Sequence, residues 1–130
     1  MALSERAREL VEASAEAAAD KLASDLLAFD VSEQLAITDA FFLCTANNDR
    51  QVRAVVDGIE ERLRELGAKP VRREGEREGR WVLLDYIDIV VHVQHTEERL
   101  YYALERLWRD CPLVPLPESV AAAPRPGIGS

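Results

Sequence analysis

Apolar residues recur at helical intervals at the start of the chain. Leu10, Val11, Ala15, Ala18, Leu22 and Leu26 follow one another at mostly three- and four-residue steps, while Glu5, Glu9, Glu12 and Glu16 take the other side. With many Ala and neither Gly nor Pro, this pattern predicts a helix over residues 4–27. The period then changes. Leu27, Phe29 and Val31 alternate with Ala28, Asp30 and Ser32, which predicts a strand over 26–32, followed by a loop at Ser32-Glu33-Gln34. Residues 39–46 (Asp39 to Ala46) are apolar on both faces, as in a central strand covered by other layers.

Asn48 followed three residues later by Gln51 resembles a capping box. Behind it, Val52, Val55, Val56, Ile59, Leu63 and Leu66 mark one face of a second helix. Gly67 and Pro70 end it. A short strand is expected around Pro70-Val71-Arg72, and the charged, Gly-containing run 72–80 reads as a solvated loop. Two strands follow, 81–85 and 88–94, separated by Tyr86-Ile87, a link short enough to require an antiparallel hairpin. Tyr86, placed in that turn, is expected to be exposed. Thr96 is positioned to cap a last helix with Leu100, Tyr101, Leu104, Leu107 and Trp108 on its apolar stripe. The order is helix, strand, strand, helix, three strands, helix. A helical crossover combined with a tight hairpin predicts an α/β fold with a mixed sheet.

Five of the six Pro lie from Pro112 onward, so the chain divides into a domain over 1–111 and a flexible, extended tail over 112–130. At 130 residues one domain is expected. The 16 Lys and Arg against 24 Asp and Glu leave a net charge of −8. Such a chain repels phosphate, which disfavours direct nucleic-acid binding and favours a basic protein partner. Cys44 and Cys111 are too few for a disulfide scaffold and are expected to be unpaired thiols. The opening residues carry acid and no apolar signal core, and no apolar run reaches the ~18 residues of a membrane span. A cytosolic protein is expected.

The chain contains no phosphate loop, G-x-G-x-x-G, C-x-x-C or G-x-S-x-G motif. Ser24, Ser32 and Thr45 have no evident base partner. Asp85, Asp88, His92 and His95 come closest to a metal set, but two acids three residues apart across a turn do not share a strand face. The reading is therefore no metal and no cofactor, with the acids ending strands at an exposed turn. His92 points away from Val91 and Val93 and reads as a structural histidine. Trp81 supports two readings, a core residue or a surface anchor for a partner. Tyr86 between Asp85 and Asp88 would suit a basic surface.

These residues also carry a family resemblance. Trp81, Asp85, Asp88 and His92 form W-x-x-x-D-x-x-D-x-x-x-H, and residues 99–108 form R-x-x-Y-x-L-E-x-L-W. With Asp30-Val31-Ser32, Ile37-Thr38-Asp39-Ala40-Phe41, Cys44 and Arg50-Gln51-Val52, the stretch from about residue 10 to 111 resembles the ribosomal silencing factor RsfS, or Iojap, family. The resemblance implies a mixed five-stranded sheet packed with helices, of nucleotidyltransferase-like topology but without that activity. It implies binding to large ribosomal subunit protein fourteen, steric blocking of subunit joining and repression of translation, and it extends to homodimers. Carried onto this chain, it implies contact through Trp81, Asp85, Tyr86 and Asp88, with Glu74 and Glu76 as weaker candidates. The alternatives are a large-subunit assembly factor and an active nucleotidyltransferase.

Overall fold

The computed structural model describes residues 3–33, 38–75, 81–95, 111–117 and 120. Helix α1 spans Glu5–Asp20, β1 Ser24–Asp30, β2 Ala40–Ala46, α2 Asp49–Glu65, β3 Arg72–Glu74, β4 Trp81–Asp85 and β5 Ile89–His95. The strands form one mixed sheet in the order β1-β2-β5-β4-β3. The central pair β2–β5 is parallel and the other pairs are antiparallel. The expected architecture is therefore present. All seven residues of β2 are buried, as its continuous apolar run requires.

The helices begin where their caps place them. Ser4 Oγ accepts a hydrogen bond from the Ala7 N–H, and Asn48 Oδ1 accepts one from the Gln51 N–H. Gln51 departs from the reciprocal box: its Oε1 accepts from the Asn47 N–H, and its amide donates to the carbonyls of Lys21 and Leu22. It thereby ties the start of α2 to the end of α1.

The end of α1 corrects the expected helix over 4–27. It stops at Asp20 because Leu22 adopts a left-handed conformation with φ 65°. The Leu22 N–H then donates to Ala19 O and the Ala23 N–H to Ala18 O, a six-residue closing loop at the helix end. Gly67, at φ 83°, closes α2 by the same pattern through Arg64 and Leu63. With α1 shortened, β1 starts at Ser24 and ends at Asp30, two residues earlier than expected. It contains a bulge between Ser24 and Leu27 where Asp25 takes φ 55°.

Two further expectations change. Arg72–Glu74 is an edge strand paired with β4, not loop, although all three residues are exposed. The chain also stays on the domain beyond residue 111. The Asp30 N–H donates to Pro112 O, the Val114 N–H donates to Ala28 O, and Leu113 bridges Phe29. Val114 and Val120 are buried in the core. Pro spacing does not prevent this pairing, since an extended Pro-rich segment can still lie along an edge strand. The helix expected from Thr96 to Trp108 lies outside the described residues.

Candidate partner-binding surface

Strand alternation sorts the functional candidates onto the two faces of the sheet. Ala28, Phe42, Cys44, Val82, Leu84, Val91 and Val93 join the core with α1 and α2. On the other face the register sets three rows. Phe29, Phe41, Val90, Asp85 and Arg72 lie across the first, and Leu27, Leu43, His92, Leu83 and Glu74 across the second. Thr45, Gln94 and Trp81 lie across the third. The face is apolar toward β1, where Phe29, Val31, Phe41, Leu43 and Cys111 cluster, and polar toward β4 and β3.

Trp81 is half-buried, intermediate between its two sequence readings. Its ring meets His92 edge-on at 5.9 Å, and His92 meets Phe41 in the same manner at 6.3 Å. Gly75 packs so tightly beneath Trp81 that an added Cβ would lie 2.6 Å from indole Cε3. The indole is thus wedged in one orientation with part of its surface in solvent. His92 is 4% exposed, and burial lowers its pKa to about 4, so it is neutral in the fold. Its Nδ1, the Gln94 side-chain amide and the Thr45 hydroxyl are buried and have no hydrogen-bond partner among the described residues. Burial likewise pushes the Cys44 thiol well above its usual pKa, making it an inert packing group.

The β4–β5 turn differs from expectation. Tyr86 is 5% exposed and packs in the core with α1 and α2. Burial and the nearby Glu60 raise its phenol pKa, while Arg73 opposes them; Arg73 itself pairs with Glu60 at 2.6 Å. The exposed turn residue is Ile87, 58% exposed with φ 74°. The signal was present in the alternation: Val82, Leu84 and Tyr86 fall two apart and share the helix-side face. With Tyr86 drawn inward, Ile87 is turned out. The turn is held by the Tyr86 N–H donating to Ile89 O at 2.9 Å and the Asp88 N–H donating to Tyr86 O at 2.8 Å. The Ile87 N–H donates to Asp85 Oδ1 at 2.9 Å.

Asp85 and Asp88 are both partly exposed. The Asp88 carbonyl accepts from the Asp39 N–H, and the Asp85 carbonyl accepts from the Val71 N–H. Arg72 lies 4.0 Å from the Asp85 carboxylate and 3.1 Å from Glu74. Glu74 is exposed at the sheet edge, and Glu76 lies outside the described residues. Trp81 does not lie beside the turn. It opens β4 while Asp85 ends it, a separation of roughly 13 Å at ~3.3 Å per residue. Trp81, Leu83 and Asp85 instead make a strip along one strand. His92 and His95 fall on opposite faces by alternation, and among the described residues no group of three or more His, Cys, Asp or Glu is placed to hold a metal ion.

Comparison with known proteins agrees with the fold and points to its context. Residues 4–127 match the family model described as ribosomal silencing factor during starvation. The chain is 42% identical over 109 residues to the ribosomal silencing factor RsfS of Bacillus subtilis, covering 84% of this chain and 92% of that one. A crystal structure from Bacillus halodurans superposes with a TM-score of 0.74 at 38% identity, covering 83% of this chain and 98% of that one. A more distant relative, at 27% identity over 66% of this chain and 39% of its own length, is the mouse mitochondrial assembly of ribosomal large subunit protein 1.

Proposed function

The chain belongs to the ribosomal silencing factor RsfS family, and we propose that it binds the large ribosomal subunit through its protein fourteen and thereby blocks joining of the small subunit. Translation is repressed by occupancy of a surface, and no bond is made or broken. The observation that carries this reading is the family match, which runs through the whole β3–β4–β5 region. Within that region the wedged Trp81, Leu83 and Asp85 line one strand, with Asp88 at its end. The indole supplies desolvated apolar contact. The acids and the net charge of −8 complement a basic ribosomal protein and speed the encounter.

The test is sedimentation of the purified protein with separated subunits, followed by a joining assay. Co-migration with large subunits and a dose-dependent loss of joined ribosomes are expected. Migration with neither subunit would refute the proposal. A second reading, assembly of the large subunit, is favoured by the similarity to the mouse mitochondrial protein named for that role. Binding to large-subunit precursors but not to mature subunits would favour it over silencing.

A further inference from the structure

We infer that Ile87 is a second apolar anchor of the partner-binding surface, in addition to Trp81, held outward by Asp85 for insertion into an apolar pocket on a basic protein surface. The inference rests on the proposed function and names a contact residue for it. Ile87 is β-branched and yet sits at φ 74°, a conformation such residues scarcely adopt. The fold has no evident need for the side chain: at 58% exposure it buries little, and glycine would make the same turn without strain. Leu22 shows that such strain can serve a helix end, so at Ile87 it is the surroundings of the strained residue that point to a role outside folding.

The neighbourhood indicates what that role requires. Val71, 62% exposed, is brought to the same end of the sheet because its N–H donates to the Asp85 carbonyl at 2.7 Å. The Asp85 carboxylate accepts from the Ile87 N–H, so one residue positions both exposed apolar side chains. Asp39 and Asp88, linked by the Asp39 N–H to Asp88 O bond at 3.0 Å, add carboxylates at this end. Arg72, 4.0 Å from Asp85, offsets part of that charge. An apolar tip among aspartates is complementary to a pocket rimmed by Lys and Arg, and it disfavours docking on bare RNA.

The test compares Ile87→Gly and Ile87→Asn with the unmodified protein, since both replacements tolerate the left-handed backbone. Leu22→Gly is the control, because Leu22 is a second exposed left-handed residue, in the connection between α1 and β1. Melting temperature, affinity for purified large subunits and self-association are measured for each. The Ile87 variants are expected to melt no lower than the original while binding about thirtyfold more weakly, the typical effect of removing an anchor. Leu22→Gly is expected to melt higher and bind normally. Unchanged affinity in the Ile87 variants would overturn the inference, as would a lower melting temperature, which would make Ile87 a folding residue. Loss of a dimer with subunit binding intact would assign the tip to a second copy of the chain instead. Failure of the unmodified protein to bind large subunits would remove the functional reading itself. Normal binding by the Ile87 variants beside weakened binding by Trp81→Ala would remove only this inference.

Discussion

The two faces of the sheet are made by the same strands and follow different rules. The face under α1 and α2 is almost wholly apolar, from Ala28 through Phe42 and Val91 to Leu84. Tyr86 is a large polar intrusion there, and its buried hydroxyl has no partner among the described residues. The opposite face changes character across its width. It is apolar beside β1, then carries Thr45, His92 and Gln94 in the middle, and ends on Trp81, Asp85, Arg72 and Glu74. Buried groups without partners carry a desolvation penalty, so the middle of this face stabilises the fold less than its burial suggests. The helix-side face is built for stability, while the other gives up some stability and presents a mixed strip along β4.

The largest effect should come from the helix-side face. Phe42 is fully buried there, and Phe42→Ala should lower unfolding free energy by ~3–5 kcal/mol. Leu83, half-buried on the opposite face, should lose much less on the same truncation. Urea midpoints with unchanged slopes measure both. Equal losses would erase the distinction between the faces.

Next comes acid. His92 titrates near 4 in the fold and near 6.5 when unfolded, because burial penalises its charged form. The unfolded state therefore takes up a proton first. The stability that neutral His92 contributes is complete above about pH 6.5 and is lost as pH falls toward 4, on the order of 3 kcal/mol in all. Denaturant midpoints across that window should fall more steeply for the original chain than for His92→Phe. Parallel curves would mean that protonated His92 is accommodated and the face is wetter than its burial implies.

These two elements also show how much was legible. The apolar run of β2 and the periodic face of α2, bounded by Asn48 and Gly67, could be read directly because each signal is local. The end of α1 could not, because Leu22 takes the left-handed position that glycine normally marks. The same is true of Pro112–Val114, whose place beside β1 depends on pairing with a strand over eighty residues away. At the surface, the acids of the turn were evident, but the exposed apolar residue was misassigned. Treating Tyr86-Ile87 as a free turn concealed the continued alternation that buries Tyr86 and exposes Ile87.

Trp81→Ala comes third in size and tests whether the strip along β4 is a contact surface. The indole rests on Gly75 and His92, so its removal should cost some stability. Because part of the ring faces solvent, the larger loss should be in binding to large subunits, ~2 kcal/mol or about thirtyfold. Melting and co-sedimentation on the same preparation separate the two. A large fall in melting temperature with normal affinity would return Trp81 to the core and leave the tip of the turn as the contact.

The smallest effect is expected at Thr45, and its sign is what matters. Its hydroxyl is buried against the Gln94 register position with no hydrogen-bond partner among the described residues, on a strand whose other side chains are all apolar. Thr45→Val keeps the branched shape that suits a strand and removes the group that must be desolvated. Stability should rise by ~1 kcal/mol, read as a higher urea midpoint at constant slope. The same change should leave subunit binding untouched, since Thr45 is 1% exposed and lies two strands from Trp81. A loss of stability would show that the hydroxyl is satisfied in solution, with buried water bridging Thr45 to Gln94. In that case the polar middle of this face would be a completed network supporting the fold, and the contrast with the helix-side face would be one of chemistry rather than of stability.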